Sequence, residues 1–159
     1  MMSLRRVIEL GARHGEAFVL IAAAHVLIEG AGWDRARRFS DRLLPQHTPP
    51  IAPTCDPQRV AGAIERSVLR ASRLIPGARC APRALAARHM LARRGIVSRL
   101  VVGLRLKPHP EGHAWLELGS PAHPLRLFAR DPSAYTPLDA LSPTVASSPR
   151  SPIPTPTSA

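Results

Sequence analysis

The chain has 159 residues, a length that indicates one domain with room for a short appendage. Its formal net charge is +11, almost all of it from arginine, which indicates either the codon bias of a high-GC genome or an acidic partner. The two cysteines, Cys55 and Cys80, lie far apart and fit neither a disulfide framework nor a zinc site. We therefore expect a reducing cytoplasm, no metal and no structural disulfide.

The sequence pattern of residues 1–48 predicts an N-terminal helical region. Residues 3–29 indicate one helix, whose apolar run Ala17–Ile28 carries a histidine and is too short to span a bilayer, so a core helix is favoured over a membrane-surface helix. After a Gly-rich break, a short basic amphipathic helix ends at Pro45. Charged residues interrupt the first apolar stretch, so we predict no secretion signal and a cytoplasmic protein.

Residues 49–141 are predicted to form the functional core, and a Pro-rich linker, residues 45–55, overlaps its start. Asp56 fits the N-cap of a helix, and the proline that follows it fits the first helical position. A Pro-Gly pair ends that helix. A second helix begins at Cys80 and ends before Gly95.

The hydrophobic period then changes, which predicts three strands, in "IVSRLVVGLRL", "HAWLEL" and "LRLFA", joined by two turns. An antiparallel meander after helices makes the fold class α+β. The remaining residues, 142–159, are rich in proline, serine and threonine. We predict that this tail is disordered, because it cannot bury enough apolar surface to offset its chain entropy.

Cys80 is the candidate nucleophile. A free cysteine is in general most often a small buried residue that only packs. This one lies at the start of a helix, where unpaired N–H groups and the helix dipole favour the thiolate, and Arg79 and Arg83 add positive charge. An inert packed thiol and a nucleophile both stay open on these grounds.

His113 is the candidate base, with an exposed turn histidine as the alternative. Strand alternation places His113, Trp115 and Glu117 on one face of their strand. A cysteine nucleophile needs a base within hydrogen-bond reach, and that base needs an orienting group. A cysteine on a helix that faces a histidine on a strand would supply the first two. Trp115 is expected to be core packing first and a wall of the site second.

Asp131 is the candidate orienting carboxylate, because it follows the third strand and could hold the imidazole tautomer. A turn residue before Pro132 is the alternative. Glu117 lies too far along its strand from His113, and Asp139 could cap a short C-terminal helix. The sequence holds no phosphate-binding or dinucleotide motif, and its arginines lack interleaved aromatics, so we expect no cofactor and no nucleic-acid ligand.

Two pieces of sequence taken together, P-G-x-x-C-x-x-R-A at Pro76–Ala84 and H-A-W-x-E at His113–Glu117, resemble the leader peptidases of lasso-peptide biosynthesis. The resemblance covers about residues 56–141. It implies a papain-related, transglutaminase-like fold and a catalytic triad of Cys80, His113 and Asp131. It also implies that the enzyme cuts a ribosomally made precursor peptide at the junction of leader and core.

The same resemblance implies partners. Members of this family recognise the leader through a small winged-helix-like domain, fused or separate, and the first 55 residues here predict helices instead. A separate recognition protein is therefore implied, followed by an ATP-dependent cyclase similar to asparagine synthetase; we expect no membrane contact. Two other functions stay open: a transglutaminase-like acyltransferase or amidase on another substrate, and a non-enzymatic basic scaffold with a packed Cys80.

Overall fold

A computed structural model describes residues 4–44, 56–129 and 131–138, without the side chains of residues 4–6. Within these residues the chain forms four α-helices and one four-stranded antiparallel sheet, so the α+β prediction is confirmed. The helices are α1 (Leu4–Ala31), α2 (Trp33–Leu43), α3 (Pro57–Ala71) and α4 (Cys80–Ala92). The strands are β1 (Ser98–Arg105), β2 (Glu111–Leu118), β3 (Leu125–Leu127) and β4 (Thr136–Pro137).

Local sequence signals explain where the helices begin and end. Gly32, with φ of +81°, separates α1 from α2. The Asp56 side chain caps α3 by accepting a hydrogen bond of 2.9 Å from the Gln58 N–H, as predicted. The predicted linker with Cys55, the predicted tail and the proposed cap Asp139 lie outside the described residues, and the domain boundaries stay predictions.

The core lies between the helices and one face of the sheet. Side chains of α1, α3, α4 and β2 meet there in one apolar cluster. Its fully buried members include Ile21, Ile64, Met90, Leu91 and Leu116. Burying each such side chain contributes about 1.5–3 kcal/mol to folding, so this cluster holds α4 against β2.

Helix α1, Leu4–Ala31, extends beyond the apolar run Ala17–Ile28 at its N-terminal end. Residues Val7–Ala31 are long and apolar enough, by length and composition alone, to cross a membrane; mostly buried core helices of soluble proteins and N-terminal signal sequences pass the same test. One face of α1 packs against α2, α3 and α4, with Ala17 and Ile21 fully buried. The other face exposes apolar side chains, among them Val19 at 64% and Val26 at 69%.

Ion pairs fasten α4 to the N-terminal helices. The Arg94 guanidinium makes two hydrogen bonds to the Glu16 carboxylate, of 2.7 Å and 3.3 Å, and Arg93 adds one of 3.1 Å. Arg88 pairs with Asp41 of α2. These contacts link α4, through Arg88 and the two residues just after its end, to α1 and α2.

The sheet has the strand order β3-β2-β1-β4. Strands β1 to β3 form the predicted meander, and β4, which the sequence did not predict, pairs with β1 at the other edge. In this register Gly103 of β1 lies opposite both His113 of β2 and Pro137 of β4. Strand β3 is shorter than predicted because Phe128, with φ of +64°, leaves the extended conformation.

Candidate active site

Cys80 is the first residue of α4, as predicted. The turn before it contains Gly77, whose φ is +81° and where a Cβ would lie 3.2 Å from the ring of His25 on α1. Arg79, at the N-cap, makes no side-chain hydrogen bond to the first turn. The half-buried Cys80 Sγ lies 3.9 Å from the Gly112 carbonyl oxygen. The thiol therefore lies between the start of α4 and the start of β2.

His113 is held by a backbone carbonyl. Its Nε2 lies 2.8 Å from the carbonyl oxygen of Phe128, which follows β3. Because a carbonyl oxygen only accepts hydrogen bonds, Nε2 carries the proton of the neutral imidazole, and Nδ1 is left with its lone pair. This contact favours the tautomer in which Nδ1 can accept a proton.

Two aromatic rings lie beside the imidazole. Trp115, on the same face of β2 as predicted, stacks on His113 with a centroid distance of 6.0 Å, and Tyr135 lies at 5.1 Å. The indole is 2% exposed, and its Nε1 donates to the Glu117 carboxylate at 3.3 Å. The buried indole therefore fits the expected packing role and contacts the candidate base, whereas its role as a wall of the site stays a prediction.

Gly103 makes room for these rings. A Cβ at this position would lie 2.9 Å from two atoms of the Trp115 ring and 2.9 Å from the Cβ of Tyr135. Real Cβ atoms essentially never come so close, so the aromatic packing beside His113 depends on a glycine here. The sequence analysis missed Gly103, although an isolated glycine within a strand signals a close approach.

Phe128 could not be predicted as a site residue from the sequence, because it contacts His113 through a backbone carbonyl, which has no side-chain signature. A left-handed conformation at a residue other than glycine costs about 1–3 kcal/mol, and it persists only when its surroundings hold it. The side chain of Phe128 packs against the core cluster. The strained residue is therefore tied to both the core and the imidazole.

Asp131 lies in the same cleft as the other two predicted residues. Its Oδ1 accepts a hydrogen bond of 2.6 Å from the Ser133 hydroxyl, in the turn that follows. Among the described residues, the imidazole of His113 bonds to the Phe128 carbonyl and not to this carboxylate. The assignment of Asp131 as the third member of the triad stays a prediction.

The cleft that holds Cys80, His113 and Asp131 has a volume of about 650 Å³. It is open to solvent, and its volume is typical of ligand-binding pockets, about 300–1,000 Å³. Its further lining includes Glu65, Arg79, Arg83, Glu111 and Tyr135. Within the part of the chain that the structure describes, no group of three or more His, Cys, Asp or Glu side chains could hold a metal ion.

His89 lies on α4, far along the helix from Cys80. Burial lowers its pKa from the ordinary value of 6.5, the charge of Arg93 lowers it further, and Glu16 opposes both. His89 lines a small groove together with apolar residues of α1 and α2. Its role is therefore in packing, away from the cleft.

A protein-family model for the transglutaminase-like superfamily matches residues 18–138, more than half of the chain. The match includes the whole cleft, with Cys80, His113 and Asp131. No curated protein and no solved structure matches the chain.

Proposed function

Because the chain belongs to the transglutaminase-like superfamily, which indicates a cysteine-dependent enzyme, we propose that it is a cysteine endopeptidase. Its substrate in this proposal is the ribosomally made precursor of a lasso peptide, from which it removes the leader. One observation carries the proposal: Cys80 at the start of α4 and His113 on β2 line one cleft that is open to solvent. The motifs around Cys80 and His113 support the choice of substrate.

Cys80 is the nucleophile in the proposed mechanism. Nδ1 of His113 takes the thiol proton, since Nε2–H is bonded to the Phe128 carbonyl. The sulfur forms a bond to the scissile carbonyl carbon, and N–H groups at the start of α4, including that of Cys80, bind the oxyanion. His113 then protonates the leaving amine, the C–N bond breaks, and water hydrolyses the thioester.

Asp131 is the proposed third catalytic residue. Its position in the cleft supports this role, and its carboxylate would stabilise the imidazolium that forms when His113 takes the proton. The Phe128 carbonyl already orients the neutral ring. The contribution of Asp131 is therefore to charge stabilisation more than to orientation.

We propose that a separate protein recognises the leader. Residues 4–44 form α1 and α2, so that part of the chain does not supply the three-stranded sheet of a winged-helix-like recognition domain. The new N-terminus of the core peptide would pass to an ATP-dependent cyclase. The net charge of +11 suits an acidic face on the recognition protein or on the leader.

Mass spectrometry of a cognate precursor, incubated with the recognition protein and this protein, tests the proposal. We expect leader release by the wild type and by the control His123→Ala, which changes an exposed histidine outside the cleft, and none by Cys80→Ala. Equal cleavage by Cys80→Ala would remove Cys80 from the mechanism. A folded wild type that binds the precursor without cutting it would contradict the peptidase proposal.

Acyl transfer to an amine is the second candidate, because the superfamily match fits it equally well. Both reactions form a thioester on Cys80, and they differ in whether water or an amine breaks it. The same incubation with an added primary amine separates them. A product that carries the amine would identify an acyltransferase, whereas free leader acid in excess amine would identify a hydrolase.

A further inference from the structure

The backbone of Phe128 is held from both sides by hydrogen bonds. Its N–H donates to Oε1 of Glu65 at 2.7 Å, and its carbonyl oxygen accepts from Nε2 of His113 at 2.8 Å. The N–H and the carbonyl belong to different peptide units, so the effect of one bond on the other is geometric. Glu65, on α3, lies 63 residues before Phe128 in the chain, so the contact joins a helix to the end of the sheet.

The conformation of Phe128 requires such a support. With φ of +64°, Phe128 is a residue other than glycine in the left-handed region of backbone conformation. Relaxation of its backbone to an extended conformation would rotate the Phe128 carbonyl away from the imidazole. The Glu65 carboxylate opposes that rotation, because a bond from an N–H to a charged acceptor is stronger than one between neutral groups. The half-buried position of Glu65 limits competition from water.

We propose that Glu65 is a positioning residue for His113, which acts by holding Phe128 in the left-handed conformation that aims its carbonyl at Nε2. This inference rests on the proposed function and deepens it. The role differs from that of Asp131, whose carboxylate bonds to Ser133. Orientation of the base therefore comes from α3 through a backbone group.

The test compares Glu65→Ala with Glu65→Gln in the full-length chain, with Glu29→Ala, an exposed change on α1, as the control. The glutamine amide oxygen can still accept the Phe128 N–H, so Glu65→Gln should keep most of the activity. Glu65→Ala should lower kcat for leader release by about 10- to 100-fold with little change in KM, because a small displacement of the base slows the chemical step.

A spectroscopic readout separates positioning from a general loss of structure. The ¹⁵N shifts of the His113 ring, assigned with a His113→Gln variant, should report the Nε2–H tautomer in the wild type and in Glu65→Gln. A mixture of tautomers is expected in Glu65→Ala. If Glu65→Ala does not fold, Glu65→Asp, whose carboxylate is one methylene too short, takes its place with the same expectation.

Three results would overturn the proposal: wild-type kcat in a folded Glu65→Ala, a lower kcat with an unchanged tautomer, or an equal loss in Glu65→Gln. If the wild type releases no leader, the proposed function fails. The ring nitrogen shifts, which need no substrate, then still decide the role of Glu65.

Discussion

Gly103 of β1 lies against the ring of Trp115 so closely that a Cβ would be 2.9 Å from two of its atoms. Trp115 in turn stacks on His113, and the Cβ of Tyr135 lies at the same 2.9 Å from that position. The position of the candidate base is therefore coupled to the size of one residue on the neighbouring strand.

We expect Gly103→Ala to displace Trp115 or Tyr135 and to lower both stability and activity. Overpacking of this kind typically costs about 1–3 kcal/mol in the free energy of unfolding. Urea denaturation and the rate of leader release measure the two effects. Gly30→Ala is the control, because this exposed glycine lies on α1 outside the cleft and a Cβ there meets nothing within 4 Å. A Gly103→Ala protein with wild-type stability would show that the rings can move freely.

The Glu16 carboxylate should contribute to the stability of the fold, because it accepts hydrogen bonds from both Arg93 and Arg94. We expect Glu16→Gln to lower the free energy of unfolding by about 1–2 kcal/mol, less than for a fully buried pair, because the Arg94 side chain is 33% exposed. Asp34→Asn removes the ion pair between Asp34 and Arg38. Because the two side chains are 71% and 66% exposed, this change should lower the free energy of unfolding by less than about 0.5 kcal/mol. Equal costs in urea denaturation would contradict this difference.

We expect the free energy of unfolding to fall as the pH is lowered, because His89 resists protonation in the folded state. Burial lowers its pKa below 6.5 in the folded state, so below about pH 6.5 the unfolded chain binds a proton that the folded chain resists. The stability contribution of neutral His89 is therefore complete above pH 6.5 and is lost as the pH falls toward the folded-state pKa. We expect His89→Gln to weaken the pH dependence of urea midpoints between about pH 7.5 and 5.5. Parallel curves for wild type and His89→Gln would refute the assignment.

Asp131 should matter less than Cys80. We expect Asp131→Ala to lower kcat by about 100-fold at most, because the Phe128 carbonyl still orients His113, whereas Cys80→Ala abolishes leader release. Ser133→Ala, which removes only the partner of the carboxylate, should retain most activity. Wild-type kcat in Asp131→Ala would exclude this residue from the triad.

The helices could be predicted from the sequence because their signals are local. The Asp56 cap, the proline after it and the Pro-Gly pair before Cys80 act within a few residues of where they stand. The alternation along β2 placed His113 and Trp115 on one face for the same reason, since a strand has a period of two. Local sequence signals therefore predicted correctly that Cys80 begins a helix and that His113 lies on a strand.

Tertiary structure alone decided how the base is held. The Phe128 N–H donates to Glu65, and His113 donates to the Phe128 carbonyl. These bonds join residues far apart in the chain, and the central link is a backbone group that any residue could supply. The pairing of β4 with β1, which brings Tyr135 beside Gly103, is likewise a contact across the sheet. Propensity and periodicity describe neighbours along the chain, whereas these contacts form only when α3, the sheet and the turn after β3 have packed together.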